Sequence, residues 1–172
     1  HPFVEGFKFL KQFEDENTVA KQTMPAPAQM LSELQRADNI ETTRRIYPDL
    51  EKLIHDIAKA YRTVIRELYD AGCRNIQFDD CTWGMIVDSG YWEKKVGKGV
   101  SINEEAEKFI RINNLALEGK PEDMVINTHV CRGNYQSTYA ASGAYDPIAP
   151  YLFRKENANA FGTYQLNDSF YL

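Results

Sequence analysis

Met124-Val125-Ile126-Asn127-Thr128-His129-Val130-Cys131-Arg132-Gly133-Asn134 is the stretch on which the fold turns. An apolar run leads into a His-x-Cys pair. If that run is a buried strand, residues two apart point to the same face, and His129 and Cys131 present an imidazole and a thiol side by side. That is half of a zinc site, because zinc takes nitrogen and thiolate sulfur in a tetrahedral shell and a catalytic site keeps one position open. The spacing alone favours a core cysteine beside a histidine satisfied by a backbone carbonyl, since two ligands do not close a metal shell.

Outward from this strand, helical and extended patterns alternate. Ser101 followed by Glu104 fits a capping box, and Ala106, Phe109, Ile110 and Leu117 give the segment before the His-x-Cys strand a helical face. Before it, Arg74-Asn75-Ile76-Gln77-Phe78-Asp79-Asp80 reads as a strand that ends in two carboxylates. Leu50, Leu53, Ile54, Ile57, Tyr61, Val64, Ile65 and Leu68 fall on a sustained helical stripe closed by Gly72, and His55 lies off it on the solvated side. Thr18 to Met24 reads as a further strand stopped by Pro25 and Pro27, because proline has no ladder donor. Phe3, Phe7, Leu10 and Phe13 recur at helical spacing at the start, and Ala158 to Tyr164 gives a last strand weakened by glycine.

Strand–helix alternation without hairpin turns implies a parallel α/β sheet with right-handed crossovers. In parallel architectures the chemistry gathers at the carboxyl ends of strands. Here those ends carry Thr23-Met24-Pro25, Asp79-Asp80 and His129-x-Cys131, so proline, acid and metal-ligand residues are expected on one rim.

The 172 residues, 43% of them hydrophobic, suffice for one domain with a core. A net charge of −5 provides no basic field for nucleic acid. No stretch approaches the roughly 18 to 20 apolar residues of a membrane span, and His1 to Gly6 lacks the basic and apolar regions of a signal peptide. Three cysteines (Cys73, Cys81 and Cys131) at irregular spacing do not form a disulfide framework and suit the reducing cytoplasm. Cys81 reads as a small buried hydrophobe.

Three motifs, Lys21-Gln22-Thr23-Met24-Pro25-Ala26-Pro27, Ile76-Gln77-Phe78-Asp79-Asp80 and Asn127-Thr128-His129-Val130-Cys131, occur in an order that resembles the catalytic domain of cobalamin-independent methionine synthases, especially their short bacterial relatives. The resemblance implies a (β/α)8 TIM-type barrel that binds Zn2+ and transfers a methyl group from 5-methyltetrahydrofolate, or a related donor, to the thiol of homocysteine. It makes His129 and Cys131 the first two zinc ligands and Asp79 the carboxylate that holds the substrate amino group. Asp80, which stands where the family usually has glutamate, is a substrate-binding candidate beside Asp79, and Cys81 stands where the family commonly has proline. Trp83 and Asn134, just beyond two matched motifs, are candidates for the substrate pocket. No residue is assigned to protonate the methyl donor.

Two departures qualify the resemblance. The family's third ligand is a glutamate on the following strand, and the segment around Tyr164 offers none, with Glu156 and Asp168 flanking it but matching poorly. The fourth is a downstream cysteine, which this chain lacks. A full barrel takes about 250 residues, so residues 1–172 are expected to supply roughly four central βα units of a longer chain. Such a half barrel would expose an apolar inner face and two unpaired edges. Two other functions fit the same motifs: a barrel methyltransferase with another donor or thiol acceptor, and a non-catalytic remnant that binds a thiol or an amino acid.

Overall fold

The computed structural model describes residues 1–88, 90, 101–133, 136 and 138–163. Its framework is a parallel sheet in which four strands lie in sequence order, β1 (Gln22–Pro25), β2 (Asn75–Asp80), β3 (Val125–Val130) and β4 (Ala160–Thr163). Helices fill the connections: α1 (Pro2–Lys11), α2 (Pro27–Leu34), α3 (Ile40–Ile46), α4 (Leu50–Asp70), α5 (Thr82–Ile86), α6 (Ile102–Leu117) and α7 (Ala149–Lys155). The alternation read from the sequence is therefore present, with β1 and β4 at the sheet's edges among the described residues.

Helix α4 is the mainstay. Asp49 caps it by accepting from the Glu51 amide at 2.9 Å, and Leu53, Ile54, Ile57, Tyr61, Val64, Ile65 and Leu68 are all buried along its stripe. Gly72 ends it at φ +93°, a conformation open to glycine at little cost. The Tyr61 hydroxyl donates to the Pro25 carbonyl at 2.8 Å, which fastens the end of β1 to the helix layer. Ser101 caps α6 through the Glu104 amide, and Ala106, Phe109, Ile110 and Leu117 are buried as their spacing requires. His55 is exposed.

Three expectations need correction. The first strand begins at Gln22, not Thr18, because Thr18 is engaged in a bridge with Asp15 and its hydroxyl donates to the Asp15 carboxylate at 2.8 Å. In α1 the buried residues are Val4 and Phe7, whereas Leu10 is exposed, as is Phe13 beyond the helix end, so the inward stripe is narrower than the aromatic spacing suggests. The third concerns the two faces of the sheet. Met24, Ile76, Phe78, Ile126 and Val130 are buried under the helices. The opposite face carries Thr23, Gln77, Asp79, Asn127 and His129, none fully buried, and is polar rather than apolar. Strand alternation sends the apolar residues outward to the helices and leaves polar ones on the uncovered side.

Candidate functional site

Parallel pairing puts Pro25 opposite Asp79 and Asp79 opposite His129, with His129 opposite Gly162 in turn. The carboxyl ends of all four strands thus meet on one rim. A Cβ at Gly162 would lie 3.8 Å from His129 Nδ1, an ordinary van der Waals contact, so the imidazole borders β4 at this point.

Asp79 is oriented from below. Gln77 lies two residues earlier on the same face, and its Nε2 donates to Asp79 Oδ1 at 2.8 Å. Lys21 Nζ donates to Gln77 Oε1 at 3.0 Å, which fixes the amide so that its NH2 faces the carboxylate. Gln77 was not singled out by the sequence, although the period of two along β2 marks it. On β3 the equivalent position is Asn127, whose Oδ1 is buried and finds no hydrogen-bond partner among the described residues.

Beyond the strand ends the two loops come together. Cys81 Sγ lies 2.9 Å from Cys131 Sγ, both half-buried. The hydrogen bond from Cys81 lowers the Cys131 pKa from its usual value, with help from the Gly133 amide and the His129 charge against the opposing effect of burial. The same contact, then burial, raises that of Cys81. Cys81 is thus half-buried against Cys131 rather than enclosed in the core as a small hydrophobe. The close approach depends on Gly84, where an added Cβ would sit 2.3 Å from the Cys131 carbonyl oxygen. Further out, Asp88 Oδ2 accepts from the Ser142 amide at 2.7 Å, and Arg132 stacks on the Tyr145 ring with 4.6 Å to its centroid while bonding the Gly143 carbonyl.

Asp80 and Trp83, read as pocket residues, lie elsewhere. Both are fully buried on the helix side. Alternation turns Asp80 away from Asp79, and Trp83 packs edge-on against Phe109 with centroids 5.9 Å apart. Asn134 lies outside the described residues, as do Tyr164 and Asp168. Glu156 is also on the helix side, bonded by the Thr128 hydroxyl at 2.6 Å. Since Thr128 and His129 point to opposite faces, Glu156 cannot join His129.

Asp80 and Glu156 instead form a buried carboxylate pair. Asn113 Nδ2 donates to Asp80 Oδ2 at 3.0 Å and to Glu156 Oε1 at 3.4 Å, while its Oδ1 accepts from the Ala28 amide at 2.9 Å. Asp80 also accepts from the Thr82 amide at 3.1 Å and from the Thr82 hydroxyl. Burial, reinforced by the Asp80 charge, raises the Glu156 pKa to about 8. Burial raises Asp80 in the same direction, against its hydrogen bonds. Glu156 Oε2 has no partner among the described residues, so the better-bonded Asp80 keeps the negative charge and Glu156 the proton.

The crystal structure of a "Putative Vitamin-B12 Independent Methionine Synthase" from Listeria monocytogenes superposes with a TM-score of 0.69 over 94% of this chain, at 36% sequence identity. The two share a fold over this stretch. Among curated proteins, "Uncharacterized protein YxjH" of Bacillus subtilis is 37% identical over 149 residues, 87% of this chain, and "Uncharacterized protein YxjG" of the same organism is 33% identical over 153 residues, 89% of it. The chain spans 38% and 39% of the length of those two relatives and 43% of the Listeria chain. No family model matches it. No described helix is long and apolar enough to cross a membrane.

Proposed function

We propose that these residues form about half of a (β/α)8 barrel whose rim transfers a methyl group from a folate-type donor to the thiol of homocysteine, with zinc held by His129 and Cys131. The observation that carries the reading is the register that sets Asp79 beside His129, two residues short of Cys131, at the carboxyl ends of adjacent parallel strands. The likeness to the Listeria protein, named as a methionine synthase independent of vitamin B12, supports a related function.

The donor set fits zinc in kind. An imidazole and a thiol whose pKa is already lowered are the ligands that metal prefers. Among the described residues no group of three His, Cys, Asp or Glu side chains is placed to hold a metal, and His129 and Cys131 would need further ligands from outside that set to close a tetrahedral shell. When bound, zinc keeps a coordinated thiol ionised at neutral pH, which an unperturbed thiol of pKa about 8.5 is not.

The chain's own residues do the positioning. Asp79, steadied by Gln77 and Lys21, offers a carboxylate to the substrate ammonium and fixes the direction in which its sulfur approaches. The ammonium–carboxylate pair selects an amino acid over a simple thiol. Soft sulfur and nitrogen ligands at the rim favour a thiol as the other end of the substrate. A protein of this kind acts on small molecules, and the acidic chain favours neither nucleic acid nor a membrane surface as partner. The reducing cytoplasm suits its free thiols.

The test is methionine formation by the full-length, zinc-loaded protein supplied with homocysteine and 5-methyltetrahydrofolate. Turnover that falls sharply in both Asp79→Asn and Cys131→Ser supports the reading. Turnover unaffected by either substitution removes it.

A further inference from the structure

We propose that Cys81 and Cys131 are a dithiol that a hydroperoxide converts to a disulfide, and that this bond withdraws Cys131 from metal binding. The first half stands on geometry alone, and the second rests on the function proposed above.

The two residues lie fifty positions apart in sequence and belong to different loops, yet their sulfurs are 2.9 Å apart. Register explains the meeting. Asp79 pairs with His129, and two residues further along each chain come Cys81 and Cys131. Nothing in the core needs this contact, for both side chains are only half-buried and the apolar packing lies on the other side of the sheet. Gly84 lets α5 rest directly on the Cys131 carbonyl, which holds the two loops together at the point where the thiols meet. A disulfide needs sulfurs about 2.05 Å apart, so closure asks for a movement of less than about 1 Å.

The chemistry balances with a hydroperoxide as oxidant. The Cys131 sulfur attacks the peroxide oxygen, the O–O bond breaks, and with hydrogen peroxide a sulfenic acid and one water result. The Cys81 sulfur then displaces the sulfenic hydroxyl, the S–S bond forms, and a second water leaves with the Cys81 proton. Two thiols are oxidised and one peroxide is reduced. Cys73 serves as an internal control. It is fully buried, its thiol donates to the Asn75 carbonyl at 3.2 Å, and it stands at the opposite end of β2.

Metal-free full-length protein is treated with hydrogen peroxide, alkylated, and digested without reductant for peptide mapping. The expected result is a cross-linked pair of peptides carrying Cys81 and Cys131, two hydrogens lighter than the sum of its parts and split by reductant, with Cys73 still alkylated. In folded Cys81→Ser or Cys81→Ala protein the cross-link is gone, and a dimedone-type probe captures a sulfenic acid at Cys131. Oxidation of Cys131 without a bond to Cys81, or a cross-link that engages Cys73 instead, overturns the proposal. A parallel arm with zinc added beforehand separates the two halves. Protection by at least tenfold in rate supports the metal competition, whereas equal cross-linking with and without zinc leaves the dithiol standing and removes its coupling to metal.

Discussion

Glu156→Gln should flatten the dependence of this fold's stability on pH. In the folded protein burial and the Asp80 charge raise the Glu156 pKa from 4.5 to about 8. Between those values the folded state holds a proton that the unfolded state has released. Rising pH therefore favours unfolding, by about 1.4 kcal/mol for each pH unit. The full interval corresponds to about 5 kcal/mol, and because Asp80 and Glu156 share one hydrogen-bond network the separable part is about 2 to 5 kcal/mol. Glutamine keeps the shape, can still accept from Thr128 and Asn113, and cannot ionise. Near pH 5 variant and wild type should be alike in stability, and near pH 8 the variant should be the more stable by an amount in that range. Urea denaturation of the full-length protein at both pH values, read by hydrogen exchange in peptides covering β3, measures it. Equal pH slopes for the two proteins would refute the reasoning, since the proton would then reside elsewhere.

Other substitutions probe separate parts of the account. Asn113→Ala leaves Asp80 Oδ2 and the Ala28 amide without their partner in the core and should cost about 2 to 4 kcal/mol in chemical denaturation. Gly84→Ala places a methyl 2.3 Å from the Cys131 carbonyl, so the loop after β3 must shift, at a cost of about 1 to 3 kcal/mol and with weaker zinc binding by competition titration. Asp79→Asn should weaken homocysteine binding in calorimetry by about tenfold or more, since a charged hydrogen bond to the ammonium becomes a neutral one.

The strand order and the long helices were legible because their signals are local and strong. The stripe of α4, the Ser101 cap and the abrupt polar ends of β2 and β3 each declare themselves within a few residues. Which face of the sheet was apolar was harder. Ile76 and Phe78 alternate with Gln77 and Asp79, and the period of two is plain, but the pattern alone does not say which set meets the helices. For the same reason Asp80, adjacent to Asp79 in sequence, was grouped with it although its side chain faces the core. Glu156 could not be placed from sequence at all. Its environment is made by Thr128 and Asn113, 28 and 43 residues away, and a lone glutamate after a short helix ordinarily reads as solvated. The Cys81–Cys131 contact sits between these extremes. Once Asp79 is set opposite His129 it follows by counting two residues along each strand, but that register is a tertiary fact.

The central claim is that His129 and Cys131 hold a metal at the rim where Asp79 waits for substrate, and metal content tests it most directly. Full-length protein purified in the presence of zinc, exchanged into metal-free buffer and measured by elemental mass spectrometry should carry about one zinc per chain, with His129→Ala and Cys131→Ser each losing most of it and Cys73→Ser retaining it. Zinc retained in full by both His129→Ala and Cys131→Ser, or absent from the wild type, would contradict the account.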